Sequence, residues 1–278
     1  MSHDARYARD NLTAKEIPVI DARPAAEIRS NHHPAGFTLV ELLVVIGIIA
    51  LLAALITPAV IGARTSARNA AIKAEIDMLH MAIMNYKNEY GSFPPCQNLV
   101  AGPTGRASLA YDHLRRVFPR LTATKAVVQQ YFDPPGLAYP STLSPSNALF
   151  MWLRGFSDDP TQPLSGVNPR RLFDFDQTRV SQADSATKTP AGQYFPSGKR
   201  GSPYLYLDAA AYLSPPPGFV PQRSPTAAGR FDDPSQPFLN PDTFQILCAG
   251  LDEVIGTEDD LSNCWSGTRK QYLDSLKQ

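Results

Sequence analysis

The run from Phe37 to Ile56, FTLVELLVVIGIIALLAALI, constrains this chain more than any other stretch. It holds about twenty mostly aliphatic residues, and at about 1.5 Å of rise per residue a helix of that length crosses the hydrocarbon of a bilayer. The sequence therefore reads as a single membrane-spanning segment followed by an extramembrane domain.

One residue in the run does not suit lipid. Glu41 carries a carboxylate, which costs about 2.5 to 3.5 kcal/mol at the membrane centre, and an ionisable group in such a segment points to function. No Lys or Arg lies between Arg29 and Arg64, so its partner is a charge that the gene does not encode directly. Cleavage after Gly36 would create one. The new α-amino group of Phe37, set against Glu41 of another subunit, would neutralise both groups and fix the stagger between neighbouring helices.

The hexapeptide Gly36-Phe37-Thr38-Leu39-Val40-Glu41 resembles the processing site of type IV pilin precursors and of the pseudopilins of type II secretion systems. The resemblance implies that a prepilin peptidase cuts after Gly36 and N-methylates Phe37. It implies that Glu41 guides subunits into a helical filament and that Pro58 kinks the helix. Orientation follows from it as well, with the leader cytoplasmic and the C-terminal domain exported. The count of flanking charges alone does not decide this, because Arg23 and Arg29 precede the segment while Arg64, Arg68 and Lys73 follow it.

Residues 1–36 read as the leader. They lack an apolar core of their own and mix five basic with five acidic residues, unlike an ordinary secretory signal. They are expected to be disordered and removed, and the adjacent His32 and His33 read as flexible sequence rather than metal ligands. Residues 37–60 are the transmembrane and filament-core helix, and 61–95 hold its exported half. There Ile72, Ile76, Leu79, Ile83 and Tyr86 recur every three or four residues, the pattern of a helix with one face on a core. Arg64, Arg68, Lys73, Glu75, Asp77 and Lys87 are expected on the other faces, with His80 at the solvent edge. Gly91 and Pro94-Pro95 end the helix near Tyr90. Asn85 to Pro94 is similar to the end of the long helix in the major pseudopilins.

Residues 96–241 form an insertion relative to that family's short domain, and no motif identifies it. Ala107–Phe118 reads as a helix with His113 on its surface, and Ser146–Phe156 as another that Ser146 would cap. Leu172–Asp176 and Pro203–Asp208 read as strands, the latter with Tyr204 and Tyr206 on one face and leucines on the other. Residues 181–202 read as an exposed loop, and the proline-dense 214–241 as a meandering surface loop.

Residues 242–278 open with a strand, Thr243–Cys248, that runs into the acidic stretch Ala249–Asn263. Carboxylates crowded in this way are either solvated or bridged by a hard cation such as calcium, though the spacing is not that of an EF-hand. The stretch resembles the calcium loop of major pseudopilins. That resemblance implies Asp252, Asp259 and Asp260 as side-chain ligands, backbone carbonyls completing the shell. Leu251 and Glu253 stand where that family commonly has small residues or glycine. Cys248 and Cys264 bracket the loop, and a bridge between them would contribute about 3 kcal/mol in an exported, oxidising setting; a bridge from Cys96 to either is the alternative.

The expected fold is α+β, a long N-terminal helix packed on a small antiparallel sheet with a helical and loop-rich insertion. The expected role is structural rather than enzymatic: a single-pass inner-membrane pseudopilin with a periplasmic domain, polymerising with identical and related subunits on an inner-membrane assembly platform to drive protein secretion. A type IV pilin or minor pilin for adhesion, motility or uptake is the second reading. A membrane-tethered ecto-enzyme or glycan-binding module, using tyrosines such as Tyr204, Tyr206 and Tyr212, is the third. The 26 Lys and Arg balance 26 Asp and Glu, so no basic excess argues for nucleic acid as a partner.

Overall fold

The computed structural model describes residues 37–97, 99–100, 107–132, 143–167, 169–182, 191–198 and 201–277. The expected leader therefore lies outside the described residues. So do Gly36, His32 and His33, and parts of the 181–202 loop.

Helix α1 runs from Leu39 to Tyr90, through Pro58 without interruption. The chain divides after Leu55 into two units. In the first, the apolar side chains of α1 are exposed on every side, from Leu39 at 77% to Leu55 at 69%, as a helix made for lipid or for other helices would be. In the second, the expected face is the buried one: Ile76, Leu79, Ile83 and Tyr86 are fully enclosed and Ile72 nearly so. The helix ends as its sequence dictates. Gly91 takes φ +78°, a left-handed conformation that glycine adopts at no steric cost, and its amide bonds to the Lys87 carbonyl at 2.7 Å. The Pro94 and Pro95 carbonyls are then pinned by the Tyr206 hydroxyl and the Trp152 indole, each at 2.8 Å.

The sheet that α1 covers has three antiparallel strands in the order β3 (Leu205–Asp208), β4 (Phe244–Cys248), β5 (Leu261–Ser262). Leu205 pairs with Leu247, and Cys248 pairs with Leu261. Side chains alternate across a strand, and here the alternation divides two cores. Tyr204, Tyr206, Phe244, Ile246 and Cys248 join the cluster that contains α1. Leu205, Leu207 and Leu247 face a second cluster with Phe231 and Trp265. All five residues of β4 are consequently buried. Lys73 donates to the Ser262 carbonyl at 2.9 Å, and Asn263 links the His80 ring to the Ile246 amide. This α+β layout is the expected one.

The insertion departs from expectation in four places. The helix expected from Ala107 begins at Leu109, because Ala107–Ser108 form a short strand, β2, paired with β1 at Leu99–Val100. Helix α2 (Leu109–Val117) is followed by α3 (Lys125–Phe132) and by α4, Ala148–Leu153. The last of these is shorter than expected and has Asn147, not Ser146, at its N-cap; the Asn147 carboxamide accepts the Ser144 amide instead of a helix amide. Leu172–Asp176 is not a strand; Asp176 caps a single turn of tight helix, Gln177–Arg179, through the Thr178 amide. The proline-dense segment has no helix or strand, as its prolines dictate, yet it is more than a surface loop. Phe219, Phe231, Phe238 and Leu239 from it cover the outer face of the sheet, together with Tyr272 and Leu273 of the C-terminal helix α5, Arg269–Ser275.

Candidate functional site

Two regions carry the residues that sequence reasoning singled out. The first is the start of α1. Thr38 precedes the helix, and its amide and hydroxyl both donate to Glu41 Oε2, at 2.9 and 2.8 Å, while the Glu41 amide donates back to Thr38 Oγ1 at 3.2 Å. This reciprocal arrangement is a capping box, in which the first helical carboxylate satisfies an otherwise orphaned amide. Thr38 was not singled out as functional, although Thr-x-x-Glu before an apolar run is its sequence signature. Phe37 sits one turn before Glu41 and is 77% exposed. An α-amino group on Phe37 would thus stand at a helix end whose carboxylate is held by its own chain.

That geometry coincides with a family resemblance. Residues 31–57 match the model of the prokaryotic N-terminal methylation motif. The chain carries a prepilin-type methylation motif. The match covers Gly36, Phe37, Glu41 and the apolar run, and it supports a type IV pilin-like prepilin, processed by a prepilin peptidase and assembled into pilus-like filaments. The long apolar helix is compatible with the single-pass anchor of such prepilins. No curated protein and no solved structure matches the chain significantly.

The second region of the prepilin-like chain is the acidic loop between β4 and β5. Gly250 takes φ +63°, and a Cβ there would collide with the backbone and side chain of Asp259. That close approach lets Asp259 Oδ2 accept the Leu251 amide at 2.6 Å and the Asp252 amide at 3.0 Å, while Oδ1 accepts the Thr257 hydroxyl at 2.7 Å. Burial alone would raise the Asp259 pKa, but these three donors outweigh it and hold the carboxyl below its ordinary range. Asp260 is only 3% exposed. Its Oδ2 accepts the Gly256 amide at 2.7 Å and lies 3.6 Å from Arg269 Nη1, and its Oδ1 is buried with no hydrogen-bond partner. Burial, with the nearby charges of Asp259 and Asp252, pushes the Asp260 carboxyl up to about 6 despite Gly256 and Arg269. Asp252 turns to the Val254 amide at 2.8 Å. Glu253 occupies a left-handed conformation, φ +63°, at a position where the family it resembles commonly has a small residue or glycine.

Among the described residues, no three His, Cys, Asp or Glu side chains gather closely enough to hold a metal. The loop presents the buried, unpartnered Oδ1 of Asp260, with Asp259 adjacent, rather than three converging carboxylates. An orphaned, buried carboxylate oxygen is the donor that a hard cation such as calcium uses. The C-terminal strap closes the same loop: the Arg269 amide donates to the Asp260 carbonyl and the Lys270 amide to that of Glu258, both at 2.8 Å.

The bridge suggested between Cys248 and Cys264 is absent, as is one from Cys96; all three are free thiols. For Cys264 the sheet explains it. Cys248 and Cys96 belong to the cluster on the α1 face, whereas Cys264 packs against the cluster on the opposite face.

Two polar residues assigned to the surface are buried. Glu75 accepts hydrogen bonds from Tyr194 at 2.7 Å and Tyr204 at 2.6 Å and pairs with Arg179. Its spacing from Ile72 and Leu79, three and four residues, already put it on the core face. His113 is 1% exposed and bonds the Tyr86 hydroxyl at 2.8 Å, and burial draws its pKa down to about 4, helped by Arg116. Tyr194 and Phe195 are likewise buried within the stretch expected to be an exposed loop.

Proposed function

We propose that this chain is a pseudopilin, a structural subunit that a prepilin peptidase cuts between Gly36 and Phe37 and that polymerises through α1 into a periplasmic filament serving a type II secretion system. The observation that carries the reading is the capped Glu41 one turn after Phe37, on a helix whose apolar side chains are exposed throughout its first unit. The stretch from Leu39 to Leu55 buries none of its side chains, so in this reading it serves lipid and other subunits. Identical and related subunits, an inner-membrane assembly platform and the bilayer itself are its partners, with the domain that follows residue 60 on the periplasmic side.

Pseudopilin rather than pilin is favoured by the acidic loop. Asp259 and Asp260, with backbone carbonyls, would hold calcium, which stabilises the folded exported domain without taking part in any reaction. The chain is not an enzyme in this reading. Deleting the gene in its host tests it: pseudopilin function requires that secreted proteins accumulate in the periplasm and that surface pili, motility and DNA uptake are unchanged. Loss of pili with normal secretion would instead make it a pilin or minor pilin.

A further inference from the structure

Glu75 and Arg179 border a cleft of about 480 Å³ between the second half of α1 and the segment at Ser197–Gly198. Its polar lining is one-sided. Glu75 is the single acidic residue on the cleft, and its carboxylate is already spent: Oε1 accepts the Tyr194 hydroxyl, while Oε2 accepts the Tyr204 hydroxyl and Arg179 Nη2. The side-chain groups left over include two guanidinium groups. Arg179 commits Nε and Nη2 to Glu75 and the Phe195 carbonyl, which leaves the N–H groups of Nη1 unused. Arg68 has neither a hydrogen bond nor an ion pair among the described residues, and the Ser197 hydroxyl is equally uncommitted. The Arg68 guanidinium lies against the bare backbone of Gly198, its Nη2 3.8 Å from where a Cβ would stand.

We propose that this cleft binds a small organic monoanion, a carboxylate carried on a short apolar chain. Charge sets the class of ligand. Two guanidinium groups against one carboxylate leave the cleft a single positive charge in excess, and the neighbouring Lys73 is already paired with Asp77 at 3.0 Å. One negative charge balances it, whereas a dianion would bring a second that nothing on the cleft offsets. The fork of a guanidinium matches the two oxygens of a carboxylate, so Arg68 and Arg179 Nη1 take the head of the ligand, with the Ser197 hydroxyl beside them. Ala71, Met78 and Leu251 make up an apolar wall, against which the rest of the ligand lies. A volume of this size holds a small molecule of that kind. The Tyr194 and Tyr204 hydroxyls hold Glu75, and Glu75 with the Phe195 carbonyl fixes Arg179, so half of the site is built before any ligand arrives. The inference does not depend on the filament reading and adds a ligand to the folded domain.

Hexanoate and its neutral counterpart hexanamide test the site. The full chain, in a non-ionic detergent, is titrated with each and binding is read by saturation-transfer NMR. Hexanoate is expected to bind about tenfold or more tightly than hexanamide, and Arg68→Met to remove that preference. Arg68 bonds to nothing else in the fold, so the melting temperature of this variant without ligand is expected to match the parent. Ala71→Trp keeps every charge and fills the cleft from an exposed position, and it is expected to weaken hexanoate by about tenfold or more. Equal affinity for the two probes overturns the proposal, as does hexanoate binding that survives both variants. Inorganic phosphate that competes as well as hexanoate overturns the apolar part of the assignment. Tighter binding of dihexanoyl phosphatidylglycerol, lost in the same two variants, sustains the monoanion site and assigns its anion to the phosphodiester of a lipid head.

Discussion

Glu75 on α1 and Arg179, 104 residues later, meet as an ion pair in which the carboxylate is almost wholly enclosed. Arg179 also donates to the Phe195 carbonyl and lies over the Tyr194 ring, 4.6 Å from its centroid. Tyr194 and Tyr204 supply the remaining donors to the carboxylate. The pair therefore ties the insertion to the long N-terminal helix. Removing one partner leaves a buried charge uncompensated, so Arg179→Ala is expected to destabilise the domain by about 2 to 4 kcal/mol. Glu75→Gln, which keeps a hydrogen-bonding shape, should cost less. Chemical denaturation of both variants checks this, and an unchanged midpoint for Arg179→Ala would mean that the pair holds nothing.

Calcium is expected to raise the melting temperature of the exported portion from Arg64 onward. At a hundredfold excess over its dissociation constant a bound ion stabilises the folded state by about 2.7 kcal/mol. The effect should vanish in chelator and in an Asp259→Ala/Asp260→Ala variant. Superimposable melts with calcium and chelator would leave the loop closed by Arg269 and its own amides alone.

In chelator, Asp260 and His113 have opposite pH dependences. The Asp260 carboxyl sits near 6 in the folded chain and about 3.9 unfolded, so it stabilises the fold as pH falls through 6. His113 is held neutral to about 4 and takes a proton near 6.5 once unfolded, so its contribution is lost over that same descent. Asp260→Asn is thus expected to make the domain lose stability more steeply between pH 6.5 and 4.5 than the parent does. Melting curves across this range decide it, and parallel slopes would contradict the assignment.

Glu253→Gly is expected to stabilise the loop by about 1 kcal/mol, because glycine adopts φ +63° freely whereas a residue with a Cβ is strained there. For a domain of this size that is a rise of about 2 to 4 °C in melting temperature. A fall would show that the Glu253 side chain contributes more than the strain removes.

Elements whose cause is local were legible in the sequence. The core stripe Ile72 to Tyr86, the Gly91 cap, the alternation around Tyr206 and strand β4 each follow from spacing or from one residue's backbone preference. The assembly segment was legible for the same reason, since a carboxylate within an apolar run is anomalous wherever the chain folds. What was not legible depends on partners distant in sequence. Glu75 and His113 read as surface residues until Arg179, Tyr194 and Tyr86 enclose them. Leu172–Asp176 alternates like a strand but pairs with no strand among the described residues. The proline-dense segment lacks regular structure, as its composition requires, yet four of its large apolar residues join Tyr212, Trp265, Tyr272 and Leu273 in covering a sheet face. Cys248 and Cys264 bracket a loop in sequence while strand alternation sends them to opposite sides of the sheet.

The intact mass of the protein purified from its host membrane tests the central claim most directly. The account predicts a chain that begins at Phe37 and carries one added methyl group on its α-amine. A mass that includes residues 1–36 would mean that the Gly36–Phe37 bond is not a processing site, and the filament role built on a free amine beside Glu41 would fall.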